Sequence, residues 1–136
     1  MSSGDVAEID RKACEQAMVL LNLYHEVIDR KRECLEQMYH DNASLIWNGN
    51  PVNGAEAIKN YLQAIPDTEH NVQSIDVQKL SPLASQTLGG ECMTANIGGS
   101  VIVGGIEHNF TQSLVLILDP NDKKPRILSD RFRYAD

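Results

Sequence analysis

Apolar residues along the first third of the chain recur at intervals of three and four. Ala13, Ala17, Leu20, Leu21, Tyr24, Val27 and Ile28 fall on one helical face, while Arg11, Glu15, Asn22 and Glu26 take the other. This pattern predicts a helix that starts near Val6, is clear from Ala13 and ends in Asp29–Arg32, read as a solvated charged run. Asp10 is placed to cap or charge its first turn. Leu35, Met38 and Tyr39 share a face and predict a second, shorter helix over Glu33–Tyr39, or a bend of the first, because no Pro or Gly separates them. Ala43–Trp47 reads as a short strand, Asn48-Gly49-Asn50-Pro51 as a turn and Val52–Gly54 as a second break. A third helix over Ala55–Leu62 stops before Ile65-Pro66.

The period then changes. Val72, Ile75, Val77 and Leu80 alternate except between Val72 and Ile75, which predicts a strand with a bulge, punctuated by Ser81-Pro82. Thr87–Ile97 predicts the next strand, Gly98-Gly99-Ser100 a hairpin connection, and Val101–Val103 a resumed strand. Gly104-Gly105 reads as a bulge or turn. Phe110–Leu118 is a strand, Asp119–Pro125 a polar loop, and Arg126–Tyr134 the closing strand. Helices come first and an antiparallel meander second, so the expected class is α+β.

A length of 136 residues fits one domain with its own core, taken as 1–136 with residues 1–5 loose. A formal net charge of −7 argues against broad nucleic-acid or anionic-membrane surfaces. Cys14, Cys34 and Cys92 are odd in number and lack a CxxC pair, which fits reduced thiols. The opening residues carry no basic leader or apolar core of a signal peptide. The apolar run Leu114–Leu118 is far too short to span a bilayer as a helix.

Little in the chain points to chemistry. His25, His40, His70 and His108 form no close metal pattern and are assigned ordinary surface or turn roles. Tyr24 is read as core packing, able to donate a hydrogen bond inward. Asp130 becomes a base only where burial raises its affinity for protons. No phosphate-binding glycine loop or nucleophile elbow occurs. Neither metal nor cofactor is expected.

Charge and parity single out the last strand. Arg131 and Arg133 alternate with Asp130, Phe132 and Tyr134, so one face presents two guanidinium groups while the other buries aromatics. A planar guanidinium suits bidentate pairing with a partner's carboxylate. On the preceding strand Leu114, Leu116 and Leu118 take one face and Val115 and Ile117 the other, so both faces ask for cover, and a second protein can supply one of them.

Leu45-Ile46-Trp47-Asn48-Gly49-Asn50 with Gly54, then Asn109-Phe110-Thr111-Gln112-Ser113, then Ser129-Asp130-Arg131-Phe132-Arg133-Tyr134-Ala135-Asp136, resemble the NTF2-related export proteins. The resemblance runs from about Ala7 to Asp136. It implies an NTF2-like cone, a strongly curved antiparallel sheet packed around three N-terminal helices. It implies no enzymatic activity but an adaptor that pairs, sheet against sheet, with the NTF2-like domain of the large mRNA export receptor. The pair engages phenylalanine-glycine (FG) nucleoporins and shuttles between nucleus and cytoplasm. By the same resemblance Arg133 meets a receptor carboxylate, Arg131 accompanies it, and Phe110, Gln112 and Leu114 are sheet-interface contacts. Trp47, Asn48, Gly49, Tyr24 and Phe132 support the fold. The fold also hosts homodimeric transport factors that recognise a GDP-bound small GTPase, and small-molecule isomerases and dehydratases.

Overall fold

A computed structural model describes residues 3–136. Met1 and Ser2, part of the start expected to be loose, lie outside the described residues. Helix α1 spans Ser3–Arg30, beginning earlier than its apolar pattern. Its buried stripe is the predicted one: Ala13, Ala17, Leu21, Tyr24, Val27 and Ile28. Six strands follow: β1 (Tyr39–Trp47), β2 (Asn50–Asn53), β3 (Thr68–Lys79), β4 (Cys92–Val103), β5 (Ile106–Leu118) and β6 (Pro125–Tyr134). Helices α2 (Ala55–Ala64) and α3 (Pro82–Leu88) interrupt them.

Two features of the expected architecture are corrected. The sheet is mixed, in the order β2-β1-β6-β5-β4-β3, because β1 and β6 pair in parallel while every other pair is antiparallel. A parallel pair needs a long crossover, and here everything from β2 to β5 supplies it. Nor are the three helices all N-terminal: α3 lies between β3 and β4, where a strand was expected to begin at Thr87. Ser81-Pro82, read as a break, is a helix start. The Ser81 hydroxyl accepts a hydrogen bond from the Ala84 amide and Pro82 fills the first helical position, where its missing N–H costs nothing.

Smaller departures have local causes. Glu33–Tyr39 forms two 3-10 turns, Arg32–Cys34 and Glu36–Met38, and Tyr39 already belongs to β1. Leu35 and Met38 are three apart, a spacing that suits a 3-10 turn as well as an α-helix. The break expected at Val52–Gly54 contains the end of edge strand β2. Gly98-Gly99-Ser100 lies inside β4, and the hairpin turn is Gly104-Gly105, both at positive φ. The predicted bulge in β3 is present between Val72 and Ser74. It brings the Asn71 carbonyl so close to Gly99 that a Cβ there would lie 2.2 Å from it.

Asp29 and Arg32 are also not a solvated run. Arg32 donates to the carbonyls of Ile28, Leu62, Ile65 and Pro66 and to Thr68 Oγ1, at 2.6–3.2 Å, tying the end of α1 to the end of α2. Asp29 accepts from Thr68 Oγ1 and from the His70 amide. These bonds fill carbonyls that a helix end otherwise leaves open. The inner sheet face packs on α1 and α2 in one apolar cluster that includes Leu45, Ile58, Leu62, Met93, Ile97, Phe110, Leu114 and Phe132.

Candidate partner-binding face

Strand alternation divides β6 as its sequence parity predicts. Asp130 and Phe132 are buried, Tyr134 is half-buried, and Arg131 and Arg133 are exposed on the outer face. Arg133 lies opposite Thr111 on β5, and Arg131 lies opposite Ser113 on β5 and Ile46 on β1. These residues, with Asn48, line a shallow recess of 680 Å³. Among the described residues, neither arginine makes an ion pair. Around them the outer face holds small uncharged side chains, with Ser113 Oγ 3.1 Å from Asn96 Oδ1. Exposed arginines are among the residues favoured at protein interfaces.

Phe110, Gln112 and Leu114 take the other side of β5. All three are buried within this chain's own core, so sequence reasoning that grouped them with Arg133 joined residues from opposite faces. Phe110 stacks on Phe132 at a centroid distance of 5.2 Å. Trp47 lies parallel to Phe132, with centroids 3.9 Å apart and an interplanar angle of 5°. Asn48 and Gly49 form the β1–β2 turn, and Asn48 continues the contact with β6. Its amide donates to the Phe132 carbonyl at 2.9 Å, and its Oδ1 accepts from the Tyr134 amide at 2.8 Å.

Behind the arginines lies a buried polar network. Asp130 Oδ2 receives Tyr24 Oη at 2.5 Å and Tyr39 Oη at 2.8 Å, while the two phenol oxygens are 2.7 Å apart. Both phenols donate to the carboxyl, which holds the two hydroxyls side by side. Burial pushes this carboxyl above its ordinary range, against the opposing hydrogen bonds from Tyr24, Gln112 and Tyr39. Burial, reinforced by the charge of Asp130, also holds both phenols well above the usual range.

Gln112 extends the network. Its amide nitrogen donates to Asp130 Oδ1 at 2.8 Å, which leaves its oxygen facing His25 Nε2 at 2.9 Å. His25 Nε2 therefore carries the hydrogen, and the buried Nδ1 has no hydrogen-bond partner. Burial, then the neighbouring His70, push His25 down to about 4, with the Gln112 bond opposing. The surface role expected of His25 is thus corrected to a core one. His70 is half-buried, with Nδ1 2.7 Å from Asp29. His108 is stacked on Tyr134 and bonded to Asp136.

Tyr24 and Asp130 were each legible as inward-facing, and a carboxyl on a buried face calls for donors. Tyr39 was hidden by its assignment to a helix. Among the described residues, no group of three or more His, Cys, Asp or Glu is placed to hold a metal ion.

A long helix on one face of a mixed six-stranded sheet, with a polar outer face, defines an NTF2-type domain. The family model described as the Nuclear transport factor 2 (NTF2) domain matches residues 17–134. An NTF2-related export protein from Caenorhabditis elegans is 36% identical over 133 residues, covering 97% of this chain and 95% of the relative. The human NTF2-related export protein 2 is 34% identical over 127 residues, covering 92% and 89%. The chain belongs to the NTF2-related export protein family. These relatives are named as export proteins. In structure it resembles a chain of the Chaetomium thermophilum Mex67 NTF2-like domain complexed with Mtr2, with a TM-score of 0.67, 17% identity and coverage of 92% and 98%. That likeness speaks for the fold alone.

Proposed function

We propose that the chain is the small subunit of a heterodimeric adaptor in nuclear mRNA export. Residues 1–136 act as one docking domain. The outer sheet face packs against the NTF2-like domain of a large export receptor and stabilises it. The pair supports binding to FG nucleoporins and moves between nucleus and cytoplasm through the pore. Arg133 meets a receptor carboxylate, with Arg131 beside it. Phe110, Gln112 and Leu114 serve from behind, holding β5 and β6 in place.

The observation that carries this reading is the exposed Arg131–Arg133 pair, which makes no ion pair among the described residues and is flanked by Thr111 and Ser113 on the outer sheet face. The names of the relatives support the export role. Apolar and backbone burial supplies affinity, while the charge pair sets register and rejects wrong partners. The test is calorimetric titration of the full chain with the receptor's NTF2-like domain. Arg133→Glu lowers affinity by on the order of 30-fold or more, as loss of a buried charge pair does. Unchanged affinity overturns the assignment of Arg133. Isolation of a homodimer holding a GDP-form small GTPase overturns the adaptor reading in favour of a transport factor.

A further inference from the structure

The outward side of α1 is unusually apolar for a solvent-facing helix. Val19 is 68% exposed and Leu23 50%. With Leu20, Met38 and Pro125 they form the floor of a groove of 840 Å³ between α1, the second 3-10 turn and the β5–β6 loop. Lys12, Gln16, Val19 and Leu23 follow one stripe at intervals of four, three and four. The stripe is about 16 Å long at the helical rise, room for roughly five extended residues at the strand rise.

The rim is selectively basic. Lys12, Lys123 and Lys124 line it without an ion pair among the described residues. The other charges are already engaged: Arg126 by Asp119 and Asp122, and Glu15 by Arg11. Three free ammonium groups around an apolar floor stand out on a chain of net charge −7. That net charge also disfavours self-association.

We propose that this groove docks a short apolar segment of a second partner protein, flanked by aspartates or glutamates. Leucine, isoleucine or phenylalanine side chains cover Val19, Leu23 and Met38, and the flanking carboxylates meet Lys12, Lys123 and Lys124. The groove begins at Pro125 and Arg126, whereas the partner face centres on Arg133. Seven steps along β6, roughly 23 Å at the strand rise, carry the chain from Arg126 to Arg133. The groove and the sheet face can therefore be filled together, and this inference stands independently of who occupies the sheet face.

The test is an amide-resolved NMR titration of the full chain with a panel of twelve-residue peptides. Each peptide has a three-residue core of leucine, isoleucine or phenylalanine, flanked by aspartates in one set and by lysines in the other. Aspartate-flanked peptides are expected to shift the amides of Val19, Leu23, Met38 and Lys124, to bind at least tenfold more tightly than the lysine-flanked set, and to weaken with salt. Val19→Asp abolishes those shifts, and the paired change Lys123→Glu with Lys124→Glu removes the preference for aspartate. Both changes are at surface positions, and an unaltered spectrum elsewhere reports that the fold is kept. Equal affinity for the two sets, shifts outside the groove, or displacement of the peptide by an oligouridylate at the same amides overturns the proposal.

Discussion

The hydroxyl of Tyr24, on α1, meets the carboxyl of Asp130, on β6, at 2.5 Å and across 106 positions of sequence. Asp130 is fully buried, and the residue that follows it, Arg131, is exposed on the other side of the sheet. A partner that docks on Arg131 and Arg133 thus presses on a strand whose inner side is fixed by a hydrogen-bond ring.

Removing the hub of that ring should be costly. Asp130→Ala leaves two phenols and an amide buried without their acceptor, for a loss of about 3 kcal/mol or more in urea unfolding. Asp130→Asn keeps an acceptor and a donor, and should lose only about 1 kcal/mol. The pH dependence separates the two states of the carboxyl. Its folded-state affinity for protons is raised above the ordinary aspartate value of 3.8, so the folded state holds more protons there than the unfolded chain. This contribution to stability is therefore complete below that value and lost as pH rises through the folded-state pKa. Asp130→Asn should remove that slope, and an unchanged slope would take Asp130 out of the account.

His25 predicts the opposite sign. Its folded-state pKa is about 4 against the ordinary histidine value of 6.5, so the unfolded chain binds more protons between them. Stability is full above 6.5 and falls as pH drops towards 4. Between pH 7.5 and 5 the loss amounts to about 2 kcal/mol. His70 and Asp29 adjoin the ring. Urea midpoints of wild type and His25→Gln at the two pH values isolate the His25 share. Parallel curves for the two proteins would remove His25 from the account.

Gly99 offers a steric test. A Cβ would lie 2.2 Å from the Asn71 carbonyl oxygen, which is backbone and cannot swing aside. Gly99→Ala should destabilise by about 1–3 kcal/mol or more, the range for overpacking. Gly98→Ala meets only the Ser74 hydroxyl, at 3.1 Å, and should cost less. Thermal unfolding of the two variants side by side decides the point, and equal midpoints would contradict it.

Much of this molecule was legible from periodicity. The buried stripe of α1 and the division of β6 into arginine and aromatic faces follow from spacings of 3.6 and 2, and the turn at Asn48-Gly49 from its residue types. Motifs from Leu45 to Asp136 were enough to suggest the family. What local pattern could not convey was pairing between distant strands: nothing in Tyr39–Trp47 announces a parallel neighbour at Ile127–Phe132. Punctuation was ambiguous for a different reason. Ser-Pro both ends strands and starts helices, and a glycine pair both turns a chain and lets two backbones approach. Gln112 and His25 were opaque because a polar side chain in the core is decided by the partner it finds, and those partners lie 18 and 87 positions away.

The position of β6 between β1 and β5 has a consequence for how the protein is made. A ribosome delivers the β1–β2 hairpin and the β3–β4–β5 meander well before residues 125–134. Until then the two pieces share no strand, and each has an open backbone edge facing the gap. The strand that closes the gap also brings Phe132 to Trp47, Asp130 to Tyr24, and the two arginines to the surface. Completion of the core and creation of the docking face are therefore one event in the life of the nascent chain. An incompletely synthesised copy carries no finished face with which to occupy a partner.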